Sequence, residues 1–120
     1  MAIYSKVYET RKEHSAKSVG SGELEVLSTP SLVSFLENAA CLFAKERIQD
    51  NLLTTVGTKM TIDHLKASKI GNSVTVLITE VTNQGRRYDF QLEAFVDKQL
   101  IAKAYHTRVR LNKEAFLQKL

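Results

Sequence analysis

The sequence predicts an α+β fold in which a curled antiparallel β-sheet wraps one long buried helix. Three observations carry that expectation. A hydroxyl-proline start signal opens a segment that is apolar around most of a helical circumference, from Leu32 to Ala44. After it, the chain changes to a two-residue rhythm rich in Val, Ile and Thr. Tight-turn residues at Gly71-Asn72, Asn83-Gln84-Gly85 and Asp97-Lys98-Gln99 then cut that rhythm into strands.

The helix begins near the only proline. Ser28-Thr29 precedes Pro30, and a hydroxyl residue before proline marks an N-cap with Pro at the first helical position, so Thr29 is read as the cap. Ser34, Asn38 and Lys45 form the one polar wedge, and the other residues predict a largely enclosed helix. Running to about Gln49, it would be roughly 30 Å long, enough to cross a whole sheet.

The strands follow from alternation. From Val56 to Lys66 the even positions Val56, Thr58, Met60 and Ile62 share one face and Lys59, Thr61 and Asp63 the other, with His64 ending the core-facing row. Residues 73–82 form the next strand. Tyr88, Phe90, Leu92, Ala94 and Val96 alternate with Asp89, Gln91, Glu93 and Asp97, the pattern of a sheet buried on one face. Residues 100–111 supply the last long strand before a short helical tail, and residues 3–11 a first strand. The expected order is a strand, a short irregular stretch, the helix, and four strands joined by hairpins, all in one domain over residues 1–120. One helix cannot cover every edge of such a sheet, so pairing with a second copy, as a homodimer or a higher assembly, is expected.

Composition narrows the function. With 120 residues, 43% hydrophobic and 25% charged, the chain has the balance of a folded soluble protein. Charged residues interrupt its longest apolar stretch, so no membrane span is expected. The first ten residues lack the apolar core of a signal peptide, and Cys41 is the only cysteine; both predict the cytoplasm. The net charge of +4 comes from scattered basic residues without interleaved aromatics, which argues against nucleic acid and leaves room for a smaller anion. His14, His64 and His106 show no paired ligand spacing, so no metal is expected.

Glu37 breaks the helix pattern. It sits between Val33, Ala40, Cys41 and Ala44, where a carboxylate would be poorly hydrated, and it is a candidate general base or water-positioning group. Thr29 places a hydroxyl at the helix start, where free N–H groups can support a developing oxyanion. Eight residues separate the two, about 12 Å along the axis. A third group is needed, and His64, whose imidazole titrates near working pH, is the candidate.

The stretches Val19–Val26, Ser28-Thr29-Pro30, Leu36–Cys41, Thr55–Thr58, His64–Ser68 and His106-Thr107-Arg108 together resemble the fluoroacetyl-CoA thioesterase type of hot-dog proteins. The likeness spans nearly the whole chain and rests on the joint spacing of Thr29, Glu37, Gly57, His64 and Arg108. It implies a hot-dog fold and an acyl-CoA thioesterase that needs no cofactor beyond the CoA of its substrate. It also implies that Thr29, Glu37 and His64 form the catalytic group, with Gly57 and Arg108 contacting substrate. Lys66, Lys69, Arg86 and Arg87 join Arg108 as possible partners of the CoA phosphates. The stretch between Glu13 and Leu27 lacks the aromatic lid of the fluoroacetyl-specific enzyme, and Thr107, Ala102 and Ala104 depart from the family pattern, so fluorinated specificity is not carried over. The alternative reading is a non-catalytic hot-dog protein that binds acyl-CoA or another small molecule.

Overall fold

The computed structural model describes residues 2–120. Strand β1 (Tyr4–Glu9) leads through a 3-10 turn (Lys12–His14) and a four-residue helix α1 (Ala16–Val19) to the long helix α2 (Thr29–Arg47). Strands β2 (Leu53–His64), β3 (Ser73–Gln84), β4 (Arg87–Val96) and β5 (Gln99–Asn112) follow, and α3 (Lys113–Gln118) ends the chain. The strands form one antiparallel sheet in the order β1-β3-β4-β5-β2.

That order corrects one expectation. Only β3-β4 and β4-β5 are hairpins; β2 pairs with β5 at the far edge, and the chain crosses the sheet before entering β3 beside β1. Helix α1 occupies the stretch expected to be irregular. It is capped by Ser15, whose hydroxyl accepts from the Ser18 N–H. The β3-β4 loop shrinks to Gly85-Arg86, with Gly85 at φ +61°, because Gln84 still pairs with Arg87. At the β4-β5 turn, Asp97 and Lys98 take φ values of 49° and 67° without any glycine, the geometry that a tight two-residue hairpin demands.

Helix α2 lies across the sheet with Leu32, Phe35, Leu36, Ala39, Ala40, Phe43 and Ala44 buried. Against it pack Val74, Val76 and Ile78 of β3, the whole inward row of β4 from Tyr88 to Val96, and Ala102 and Ala104 of β5. Alanines on both layers let the helix approach closely. The large side chains supply the driving force, each fully buried Leu or Phe contributing about 1.5–3 kcal/mol. Tyr8 fastens β1 to the helix by stacking on Phe35 at 4.9 Å and donating to Asn38 Oδ1 at 2.7 Å.

Two local departures from the expected pattern set the directions of the polar side chains. The N-cap of α2 is Ser28, not Thr29: the Ser28 hydroxyl accepts from the Ser31 N–H at 3.1 Å, and Thr29 becomes the first helical residue with its side chain free for other work. In β2 the pairing with β5 slips between Gly57 and Lys59, so Thr58 is extra. A bulge of this kind shifts side-chain parity by one. Thr55 and Gly57 therefore face the helix on one side of it, and Met60, Ile62 and His64 on the other, whereas the alternation predicted Val56 and Thr58 inward.

Candidate active site

The residues singled out from the sequence fall into two groups along α2. At its N-terminus, Thr29 is exposed and its Oγ1 lies 2.8 Å from Nδ1 of His64, the last residue of β2. The helix start brings the hydroxyl, and the strand end brings the ring. Half-burial holds the His64 pKa below its ordinary value, against a smaller opposing contribution from the Lys66 backbone. A neutral imidazole can accept the Thr29 proton at Nδ1, which leaves the remaining ring proton on Nε2. That Nε2 is shielded from solvent and makes no hydrogen bond among the described residues.

Two turns further along α2, Glu37 meets the β2 bulge and β5. A Cβ built on Gly57 would stand 3.0 Å from Glu37 Oε2, 3.0 Å from His106 Cε1 and 3.4 Å from Arg108 Nη1, so any larger residue would make these three side chains give by a few tenths of an ångström. Glu37 is less enclosed than its position predicted, with its side chain 39% exposed. It borders an open cleft of about 470 Å³ lined also by Ser34, Asn38, Cys41, Thr55, Val56, Gly57 and Arg108.

Arg108 is 7% exposed. Its Nε donates to Thr55 Oγ1 at 2.8 Å, its Nη2 to the Thr55 carbonyl at 3.0 Å, and its Nη1 to His106 Nε2 at 3.0 Å. Such a guanidinium is part of the cleft floor and not a surface cation. Lys66, by contrast, is exposed beside Gln99.

His106 was not expected in the site. It is 1% exposed, with Nδ1 2.6 Å from the Lys59 carbonyl and Nε2 3.9 Å from Glu37 Oε2. Burial depresses its pKa first; the Lys59 carbonyl and Glu37 raise it, and Arg108 lowers it. The signal in the sequence was its parity. Ala102, Ala104, His106 and Arg108 form one inward row on β5, so two strongly polar side chains stand on a core face.

Among the described residues, no hydrogen bond or ion pair joins the Thr29-His64 pair to the Glu37 group, and no cluster of three or more His, Cys, Asp or Glu could hold a metal ion. No helix among them is long and apolar enough to cross a membrane.

Comparison with known proteins identifies the fold and the family. The fluoroacetyl-CoA thioesterase structure superposes at a TM-score of 0.87 with 21% identity, covering 97% of this chain and 90% of that one. A point mutant of the same enzyme in complex with fluoroacetate and CoA gives 0.89 with 20% identity over 97% and 94%. A thioesterase superfamily member from Thermus thermophilus gives 0.85 with 20% identity over 97% and 88%. A hot-dog-like protein from Thermanaerovibrio acidaminovorans gives 0.82 with 15% identity over 98% and 87%, so the fold is the hot-dog fold. Among curated proteins, no sequence matches. The model of the fluoroacetyl-CoA-specific thioesterase family matches residues 10–114, which contain both groups of site residues, and on that match this chain belongs to that family of thioester hydrolases.

Proposed function

We propose that the chain hydrolyses a small acyl-CoA to the free acid and CoA, with Thr29, Glu37 and His64 as its catalytic group and Gly57 and Arg108 at the acyl end. The observation that carries this reading is the 2.8 Å contact between a helix-start hydroxyl and an imidazole whose pKa burial lowers. In one route His64 takes the Thr29 proton at Nδ1 as Oγ1 attacks the thioester carbonyl. The C–S bond then breaks, the CoA sulfur leaves with that proton, and water hydrolyses the threonyl ester. In the other route His64 takes the proton from a water that attacks directly. In both, N–H groups at the start of α2 face the developing oxyanion, and the reaction consumes only water.

Glu37 completes the group across a subunit boundary. β2 is a twelve-residue edge strand with its outer side unpaired, and pairing two copies there would cover both edges. An antiparallel pairing runs the Gly57 end of one β2 towards the His64 end of the other, bringing a carboxylate towards the unpartnered Nε2. The working unit is accordingly a homodimer, which this reading places in the cytoplasm. Because Arg108 is enclosed, the exposed Lys66 and Lys69 are the better partners for the CoA phosphates.

The test is a panel of short acyl-CoAs read with a thiol-detecting reagent, alongside the oligomeric state in solution. Turnover abolished by His64→Ala and Glu37→Gln in a dimeric protein supports the proposal. Undiminished turnover in both variants removes the catalytic assignment. Binding without any turnover in the unmodified protein replaces it with a non-catalytic acyl-CoA binder.

A further inference from the structure

His106 lies between two partners that together determine its protonation. The Lys59 carbonyl at Nδ1 can only accept a hydrogen bond, and the Arg108 guanidinium at Nε2 can only donate one. The ring must therefore be neutral, with its proton on Nδ1 and Nε2 bare. A charged ring would aim an N–H at a guanidinium N–H where the ring is only 1% exposed to water.

The arrangement at Arg108 is unusual for a buried cation. Its guanidinium and the Glu37 carboxylate border the same glycine, yet they form no ion pair within 4.0 Å. A buried Arg beside a carboxylate ordinarily closes onto it, since charge-assisted bidentate pairing is among the stronger contacts available. Here three hydrogen bonds, two to Thr55 and one to His106, hold the guanidinium back.

We propose that His106 is a positioning residue: through its bare Nε2 it parks Arg108 against the floor of the cleft and so leaves the Glu37 carboxylate unpaired and available to the reaction. The β2 bulge makes this possible, because it brings the Lys59 carbonyl to the ring while Gly57 keeps the space between the three side chains open. The charged groups that act on the ring are Glu37 from α2 and Arg108 from its own strand; Phe90 of β4 stacks over the ring at 6.2 Å. The inference rests on Glu37 having the catalytic role proposed for it.

Two variants separate positioning from mere support. His106→Leu removes the acceptor, and His106→Gln replaces it with an amide oxygen near the place of Nε2. In His106→Leu, Arg108 is released onto Glu37: kcat falls about 10-fold to 100-fold with KM nearly unchanged, the pattern of a lost transition-state interaction. His106→Gln recovers most of that rate. Adding His106→Leu to an Arg108→Met background produces no further loss, because the two act through one contact. Equal losses in the Leu and Gln variants, or additive losses in the double variant, would overturn the proposal.

A measurement on the unmodified protein stands apart from turnover and from the folding of any variant. Two-bond ¹H–¹⁵N correlation of the imidazoles must show His106 as the Nδ1–H tautomer at neutral pH, and an Nε2–H or charged ring there refutes the parking contact. If the ring has the expected tautomer but the protein turns over no acyl-CoA, the hydrolase function fails while the His106-Arg108 contact stands.

Discussion

The two groups of side chains along α2 are built on opposite principles. At the Thr29 end, two groups meet through one hydrogen bond near the surface, and His64 keeps a ring nitrogen without a partner. At the Glu37 end, Thr55, His106 and Arg108 are enclosed and cross-linked, and each side-chain nitrogen of His106 and Arg108 has a partner. The first is an open valence suited to meeting a substrate or a second subunit. The second is a finished scaffold that, on the role proposed for His106, leaves one carboxylate free. Reactive groups must be able to change partners during a reaction, whereas the groups that hold them must not.

That contrast orders the expected effects. Removing the open end costs most: His64→Ala or Thr29→Ala lowers kcat/KM on short acyl-CoAs by about 100-fold or more, the range for a positioned acid-base group. Mass spectrometry of a quenched reaction then distinguishes the routes, because a threonyl ester appears as an acyl adduct lost in Thr29→Ala. Filling the finished end costs somewhat less. Gly57→Ala puts a methyl 3.0 Å from Glu37 Oε2 and His106 Cε1, so the scaffold must shift; we expect a loss of about 10-fold in kcat/KM together with about 1–3 kcal/mol of stability, read by steady-state kinetics and by denaturant titration.

Acidity separates the two ends by a smaller measure. Burial lowers the His64 pKa, so the acid limb of kcat/KM falls below the ordinary imidazole value of 6.5. The same depression at His64 and His106 links to folding. Below 6.5 the unfolded chain binds protons that the folded one refuses, so stability is fully present above that pH and declines as pH falls through it towards the depressed folded values. A melting temperature that drops less on acidification in His106→Gln than in the unmodified protein would confirm the share of the buried ring. The smallest effect belongs to the helix cap: Ser28→Ala removes the bond to the Ser31 N–H, costing about 1 kcal/mol of stability with kcat close to unchanged, whereas Thr29→Ala does the reverse.

Much of this molecule was legible in its sequence. The α2 helix and the inward row of β4 were readable because their periods, 3.6 and 2, persist over many residues with no competing pattern. Thr29 and His64 were each readable as candidates from residue type, and the family resemblance grouped them with Glu37; nothing in their spacing says that a helix start and a strand end will meet. Ser28 and Thr29 are adjacent hydroxyl residues with equal capping chemistry, and only the φ/ψ at which the helix begins separates them. The bulge at Thr58 was hidden because one inserted residue leaves composition and strand propensity unchanged while reversing everything upstream of it. His106 was missed although its inward parity beside Ala104 was open to inspection.

Thr58 works as a phase shifter. Without it, the pleat of β2 would run unbroken, and either Gly57 would rotate away from the carboxylate or Met60, Ile62 and His64 would turn towards water. One strand can serve both chemistry and packing because a single uncounted residue lets its two halves keep separate time.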